Sequence, residues 1–515
     1  MMKKIFTMAA LAFLMTACSN DIDEPQAQQQ PANSDGMITI TAKLAPKSEA
    51  GTRAVAPGTD SNGKDIIKVK WAVDEHLAIL YEVNSTKYEA DARISYVDAN
   101  TGIATITFSV VEGTADNTAC TIVYPKSAAK EDHSGVKDAA TLLAAQDGTL
   151  KDDLDVRVGA GNIIATTPNL IVTTQPVAQF AIHKFTIQDL SAADKTATEF
   201  KVSDASGNVI TTVTPGSATG TLYVALPVMA AGTYWFNATI DSKPYINKAT
   251  TTAATTAGTY YQSTVKMATL GDLMGADSKF YASSDAITAA STTAIGVIAY
   301  LGTDNFTEEG TDVGGSPFVG HGLVLCLKNA ASNVKWSTEF VSKFAGQKVT
   351  NVDGLKRTDN VSGYSNTAVL TVDAATAAKY PAAAAAKGYA GLTAPTGTTG
   401  WFLPSAQQLL RIIQTPGLGG LADGAPIFAS SWFDNEHVGV NNIQAALAKA
   451  GTIDVDYDSM IPYLWYWSSS ECSSSCAVRL DVDATSTGTG YGFHWFDGNK
   501  DISTGNYRVR PVLAF

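Results

Sequence analysis

The fold class this sequence predicts is mainly β: two antiparallel β-sandwiches followed by an α+β domain. Three observations predict it. From Met37 to about Met267, short runs alternate apolar and polar residues at a period of two, with Thr and Val abundant and Gly, Asp and Asn between the runs. After about Ala268, glycine and aromatic residues become more frequent and helix-like segments alternate with strand-like ones. At 515 residues, the chain is long enough for about three separate cores.

The first residues stand outside these three units. Lys3 and Lys4 precede an apolar run over 5–15, too short to span a bilayer, which reads as a secretory signal. The run ends in Met15-Thr16-Ala17-Cys18, which resembles a bacterial lipobox. That resemblance implies a signal peptide over 1–17, export through the Sec pathway, and Cys18 as the lipidated first residue of the mature protein. Residues 18–36 open with Asp21, Asp23 and Glu24 and continue rich in Gln and Pro, too polar to bury a core, and read as a disordered tether. The acidic start resembles the surface-export signal of Bacteroidetes lipoproteins, implying an outer-membrane, cell-surface location through the lipid anchor.

The first sandwich is expected over 37–174, with strands at ITITAKL (38–44) and ATITFSV (104–110) and a short helix within 137–145. A turn region at 173–176 then leads into QFAIHKFTI, and the second sandwich is expected over 175–267, including TEFKVSD (198–204) and, past Gly207, VITTVT (209–214). Residues 268–515 form the α+β domain. Helices are expected over 374–387 despite Pro381, over SAQQLLRII (405–413) after Pro404, and over 441–450, where Asn441 is placed to cap and Gly451 to terminate. Strands are expected at TAIGVIAYLG, GHGLVLCLK, AVRLDVD and RVRPVLAF.

Charge limits the partners. A net charge of -13 and a pI near 4.9 repel nucleic acid and anionic membrane surfaces alike, so no nucleic-acid partner is expected. Cys120 and Cys326 sit in apolar runs and read as buried, inert thiols. Cys472 and Cys476 are close enough to pair in an oxidising compartment, but the three serines between them leave that open. No HExxH, phosphate-binding glycine loop or GxSxG occurs and the six histidines are scattered, so neither an enzyme nor a cofactor is expected. Asp454, Asp456 and Asp458, and likewise Asp497, Asn499 and Asp501, alternate as calcium-loop oxygens do. Both sets lack the glycine at the sixth position and the late Glu; they read as solvated loops or strand faces, with no metal expected.

The last fifty or so residues carry the recognition signal. Between YWSSSE (466–471) and YRVRPVLAF (507–515) lies a mixture of rigid aromatics and small polar groups. Tyr491, His494, Trp495, Phe496, Asp497 and Asn499, with Asp481 and Asp483, are the candidate ligand-binding residues. Alternation in YLWYWSSS places Tyr463, Trp465 and Trp467 on one, core-facing, side. In YGFHWF the same rule groups Tyr491, Phe493 and Trp495 against His494 and Phe496 without choosing the exposed face.

Two resemblances bear on function. The lipobox start, the GTRA element (51–54), the segment IKVKWAVDEHLAILYEV (67–83) and two successive sandwiches look like the fimbrillin family of Bacteroidetes pilins, whose sandwiches are transthyretin-like. The resemblance implies proteolytic maturation after Arg53, leaving Ala54 first, loss of the lipid anchor, and a groove filled by a strand of another fimbrial subunit. GLVLCLK, GTTGWFLPSAQQLL, YWSSSE and VRPVLAF, within 271–515, resemble the C-type-lectin-like module appended to some Bacteroidetes fimbrillins. EPN, QPD and WND signatures are absent, so no calcium-sugar site carries over. Similar modules are diversified targets of diversity-generating retroelements, which implies a variable contact surface over 472–506, with Cys472 and Cys476 as chance products. Together the resemblances imply a fimbrial tip or accessory subunit, a surface adhesin that accepts a donor strand and binds a host or bacterial surface glycan or protein. The alternative is a lipid-anchored glycan-binding lipoprotein that never polymerises.

Overall fold

The computed structural model describes residues 37–47, 55–59, 65–151, 154–302, 320–344, 363–414, 416–420, 437–450, 464–484, 491–503 and 506–515. Within these, only the backbone is described for 55–59, 65–69, 437–438, 483–484 and 491–497. Cys18, Arg53, Ala54, Tyr463 and the aspartates 454, 456 and 458 lie outside the described residues.

Period-two alternation builds the first unit as expected. In β1 (Met37–Leu44), Ile40, Ala42 and Leu44 point inward while Thr41 and Lys43 are exposed. A hairpin of β2 (Val55–Thr59) and β3 (Asp65–Val69) follows. Next come β4 (His76–Val83), β5 (Thr86–Val97), β6 (Ala104–Val111), β7 (Thr118–Tyr124), the helix α1 (Ala139–Ala144), β8 (Arg157–Ile164) and β9 (Asn169–Ala178). Asn84 and Ser85, both at positive φ, form the two-residue turn between β4 and β5, matching the twist of the paired strands. Asp138 caps α1 by accepting from Thr141 N–H at 2.9 Å.

These strands form a barrel, not the expected sandwich. The order is β1-β6-β5-β4-β7-β8-β9, and β1 closes it. One flank of β1 pairs with β6 along its whole length; the other meets β9 at a single parallel pair, Thr41 with Asn169. Trp71, Ile79, Ile94, Ile106, Phe108 and Ile122 fill the interior. Cys120 is also buried there, and burial pushes its thiol up to about 12, consistent with an inert side chain.

The boundary expected at 174/175 falls inside β9. Register shifts in the β8–β9 ladder absorb Pro176, whose ring lacks a ladder donor, so the strand runs on to Ala178. The second unit comprises β10 (Ala181–Asp189), β11 (Glu199–Asp204), β12 (Val209–Val213), β13 (Thr221–Leu226), β14 (Gly232–Ile240), β15 (Lys243–Thr251) and β16 (Tyr260–Thr269), ordered β12-β11-β14-β15-β16-β10-β13. β15 and β16 touch at only two pairs, so the sheet folds over and its halves face each other. Phe185 on one half lies 5.2 Å from Phe200 and 5.5 Å from Phe236 on the other. Within this sheet β10 and β16 run parallel, which local alternation does not reveal.

The third unit is α+β. It contains β17 (Leu273–Gly275), β18 (Phe280–Tyr281), α2 (Ser284–Ala289), β19 (Ala294–Leu301), β20 (Gly322–Cys326), β21 (Ala331–Ser332), α3 (Gly363–Leu370), α4 (Ala374–Ala377), α5 (Pro381–Lys387), α6 (Ala406–Ile413), α7 (His437–Ala448), β22 (Leu464–Glu471), β23 (Cys476–Ala484), β24 (Tyr491–Asn499), β25 (Tyr507–Val509) and β26 (Val512–Ala514). One sheet is β18-β17-β19-β20-β26 and the other β21-β25-β22-β23-β24. The single helix expected over 374–387 is split, because Pro381 excludes helical backbone at Tyr380 and starts α5 instead. α6 carries the capping box of Ser405 and Gln408. α7 begins at His437, so Asn441 is interior rather than a cap. RVRPVLAF is not one strand: it breaks at Arg510-Pro511 into β25 and β26, one in each sheet.

Candidate functional site

Two places answer to the functions the sequence implies: the strand that closes the barrel, and the β24 edge of the terminal sheet. The first is β1. Its eight pairs with β6 contrast with one pair to β9, supplemented by Ala45 N–H donating to Gln175 Oε1 at 3.0 Å. Beside that seam lies a cleft lined by Thr41, Lys43, Thr105, Leu170, Val172 and Gln175. Ile40 and Leu44 are fully buried, each burial contributing about 1.5–3 kcal/mol. Loss of β1 would therefore bare two strand edges and an apolar floor one strand wide.

The second place is organised by β22, buried on both faces. Leu464 and Tyr466 belong to the core shared with β19, β20 and α6. Trp467, with the half-buried Trp465, faces a second core containing Trp336, Tyr380 and Tyr507. Trp467 stacks on Tyr507 at 4.6 Å, and Trp465 meets the same ring edge-on at 5.0 Å. The two tryptophans are thus scaffold, as their alternation predicts.

At the end of β22 sits a group the sequence reading assigned no partner. Glu471 is inaccessible to solvent, and so is Lys500, whose Nζ is 2.6 Å from its carboxylate. The other Glu471 oxygen accepts from Ser342 Oγ at 2.7 Å and from Phe344 N–H at 2.5 Å. Lys500 Nζ also donates to Val341 C=O at 3.1 Å and lies 4.7 Å from the Trp336 ring centroid. Its backbone continues the knot, donating to Ser475 C=O and accepting from Ser337 N–H, both at 2.9 Å. One ion pair thereby ties together the loop at 337–344, the serine turn at 472–475 and the turn after β24. A charge at the end of a strand buried on both faces demands an opposite charge, which was the available signal; nothing in the sequence gives the 29-residue separation its register.

The candidate ligand residues divide. Asp481 is buried, its carboxylate held by Arg479 through Nε at 2.8 Å and an η nitrogen at 3.1 Å. Arg479 also bonds the Tyr507 hydroxyl and lies 4.8 Å from the Trp465 ring centroid. This corrects the expectation of a contact residue, since alternation along β23 turns Asp481 toward the aromatic core. Tyr491, His494, Trp495, Phe496 and Asp497 lie on β24, the edge of the sheet, paired in register with Ala484, Asp481, Leu480, Arg479 and Val478. Asp483 pairs with Gly492. The side chains of these six fall outside the described residues. Asn499 is exposed, as is Ser474 in the adjoining turn. Phe340 and Val341, which the sequence reading overlooked, are about half exposed on the loop that Lys500 anchors.

Cys472 and Cys476 bracket the serine turn as two thiols, with Cys472 N–H donating to Cys476 C=O at 3.1 Å. Among the described residues no cluster of His, Cys, Asp and Glu is arranged to hold a metal, and no helix is long and apolar enough to cross a membrane.

No protein-family model matches the chain, and no curated protein matches it. Among solved structures it is similar to a fimbrial protein from Bacteroides ovatus, at 14% identity over 94% of this chain and 100% of that one, with a TM-score of 0.32. A fimbrial assembly protein from Parabacteroides distasonis is similar at 11% identity over 44% of this chain and 90% of that one, with a TM-score of 0.26. The tip fimbrial protein Mfa3 from Porphyromonas gingivalis, truncated at its C-terminus, is similar at 9% identity over 42% and 81%, with a TM-score of 0.20. At these scores the similarities neither fix the fold nor carry a function to this chain.

Proposed function

We propose that this chain is a fimbrial tip or accessory subunit, a cell-surface adhesin that accepts a strand from a neighbouring subunit and binds a glycan or protein through residues 268–515, which we read as a C-type-lectin-like module. One asymmetry carries the reading. β1 closes the barrel with one fully paired flank and one nearly unpaired flank, and it precedes Arg53 in the chain. A cut between Arg53 and Ala54 would release β1 together with the tether and the lipidated Cys18, leaving a groove for strand addition. Segment 507–515, by contrast, is divided between two sheets, with Val509, Val512, Leu513 and Phe515 buried. It would not serve as a donor strand. A subunit with one mating surface ends a polymer rather than extending it.

Adhesion is assigned to the β24 edge of the terminal sheet: Asp483, Tyr491, His494, Trp495, Phe496, Asp497 and Asn499, presented on a frame that the Lys500–Glu471 pair fixes at its Asn499 end. Mass spectrometry of the mature N-terminus tests the assembly half. A start at Ala54 is expected; a mature protein that keeps a lipidated Cys18 would instead be a permanently anchored, glycan-capturing lipoprotein. The adhesion half is tested on glycan and host-protein arrays. Alanines at Tyr491, His494, Trp495 and Asn499 should abolish binding, and undiminished binding would move the site elsewhere.

A further inference from the structure

The end of the barrel that β1 closes holds a feature that neither strand pairing nor core packing requires. Past Leu44 the chain turns, and Lys47 inserts its side chain between Trp71, which precedes β4, and Tyr124, the last residue of β7. The two rings stand perpendicular, 5.2 Å apart. Lys47 Nζ lies 4.3 Å from the Trp71 centroid and 3.4 Å from that of Tyr124. Asp155 is 3.2 Å away and Glu75 3.8 Å away. The Lys47 side chain has no solvent exposure, so the two ring faces and the Asp155 and Glu75 carboxylates hold its ammonium.

Three walls, Tyr124, Glu75 and Asp155, are held by partners outside the departing segment, whereas Trp71 bonds a carbonyl of that segment, which the backbone of an incoming strand would have to replace. Trp71 Nε1 donates to Ala45 C=O at 2.8 Å, the Tyr124 hydroxyl donates to Glu75 Oε1 at 2.7 Å, and the second Glu75 oxygen accepts from Ala72 N–H at 2.9 Å. Arg157 Nε bonds both Asp155 oxygens at 2.9 Å. Burial pulls the pKa of Lys47 below its usual value, while Asp155 and Glu75 oppose that pull. Two perpendicular ring faces plus two carboxylates form the chemistry that recognises an alkylammonium group.

We propose that Trp71, Tyr124, Glu75 and Asp155 form an ammonium-binding site, filled in the uncut chain by Lys47 and available, once β1 has gone, to a lysine on the strand that replaces it. The site is a latch at the end of the strand slot. It adds a side-chain requirement to an exchange that backbone pairing alone would leave indifferent to sequence. The occupant in trans rests on the strand-acceptance reading above; the cage itself does not.

Two experiments test it. In the full chain carrying Lys47→Ala, n-butylammonium chloride should restore at least half of the lost Tm in a saturable way, whereas n-butanol and sodium chloride should not. If this variant fails to fold in plain buffer, the same addition should restore folding. A response no larger than that to sodium chloride overturns the cage in either case. In wild-type protein, acylation by acetic anhydride should reach Lys47 about tenfold more slowly than the exposed Lys43; equal rates likewise overturn it.

For the occupant in trans, residues 48–54 of the full chain are replaced by a specific protease site, the chain is cut, and the retained β1 segment is challenged with peptides. A peptide copying 37–47 should displace the segment at about tenfold lower concentration than its twin ending in methionine. Equal potency overturns the latch. Failure of both peptides, beside successful butylammonium rescue, overturns strand replacement and leaves the cage standing.

Discussion

Lys47 and Lys500 are both lysines whose side chains are withdrawn from solvent, and they do opposite work. Lys500 sits inside the terminal unit with a carboxylate at 2.6 Å and a backbone carbonyl at 3.1 Å. It joins the loop at 337–344 to the serine turn and to the turn after β24, two turns that the Cys476–Asn499 pair already sets side by side. Lys47 sits at the end of a strand attached fully on one flank only, and it meets two ring faces and two carboxylates at 3.2 and 3.8 Å. Hydrogen-bonded burial suits a permanent frame, because a charge left behind is costly. Burial against groups that have other partners suits a removable part, since Asp155 keeps Arg157 and Glu75 keeps Tyr124 and Ala72 when the cation leaves. On the proposed reading, the terminal unit stays as it is and the barrel opens.

Lys500→Met should give the largest effect, because it strands the Glu471 charge. A loss of about 3–5 kcal/mol is expected from denaturant unfolding followed by the fluorescence of neighbouring Trp336 and Trp467. The pair Lys500→Met with Glu471→Gln should recover much of that; a single variant costing under about 1 kcal/mol would break the comparison on the side of the frame.

Acid sharpens the contrast, because the terminal unit's junction with the second sheet contains a histidine and the Lys47 cage contains none. His321 stacks at 3.9 Å on Trp235 of β14, and burial lowers its pKa to about 4. Lys248, near the same Trp235 ring, pushes it the same way. His183 in β10 is lowered to about 4 by burial as well. Each imidazole takes up a proton more readily unfolded, near pH 6.5, than folded. Their stabilisation is therefore complete above about 6.5 and is lost as pH falls toward 4, by about 3 kcal/mol each at full effect. Urea titrations from pH 7.5 to 4 should show that fall, and His321→Phe should flatten part of it. An unchanged slope in that variant would remove His321 from the account.

Lys47→Met should cost less than Lys500→Met, about 2 kcal/mol, because the thioether refills the cage and Asp155 and Glu75 keep Arg157, Tyr124 and Ala72 as partners. Trp71 fluorescence during unfolding reports it. A cost equal to that of Lys500→Met would erase the distinction between frame and latch. Asn499→Ala, at an exposed position, should change stability by less than about 0.5 kcal/mol, so any loss of ligand binding in that variant would be a loss of contact.

The legibility of this molecule in its sequence follows the range of the interactions. Strands such as β1, β6 and β11 are local matters of alternation, and the α6 cap spans only four residues, so both are readable. Barrel closure rests on Thr41 meeting Asn169, and the parallel β10–β16 ladder likewise joins residues far apart in the chain; no local pattern encodes either. The split at Pro381 and the break at Pro511 were written in the sequence, but alanine density and apolar continuity outweighed them. Asp481 looked like a contact residue because its partner Arg479 is two positions away on the same face, where only a known burial identifies an internal pair. The Lys47 cage draws on residues before β4, at the end of β7 and before β8, and becomes visible only when the barrel brings those ends together.

The central claim is that β1 must leave for the chain to join a polymer. Thr39 on β1 and Ser109 on β6 are direct partners with hydroxyl oxygens 3.5 Å apart, close enough for cysteines at both positions to form a disulfide. The full-length Thr39→Cys, Ser109→Cys chain, expressed in fimbriated cells, should be absent from purified fibres when oxidised and present when kept reduced. Equal incorporation in the two states would contradict the claim.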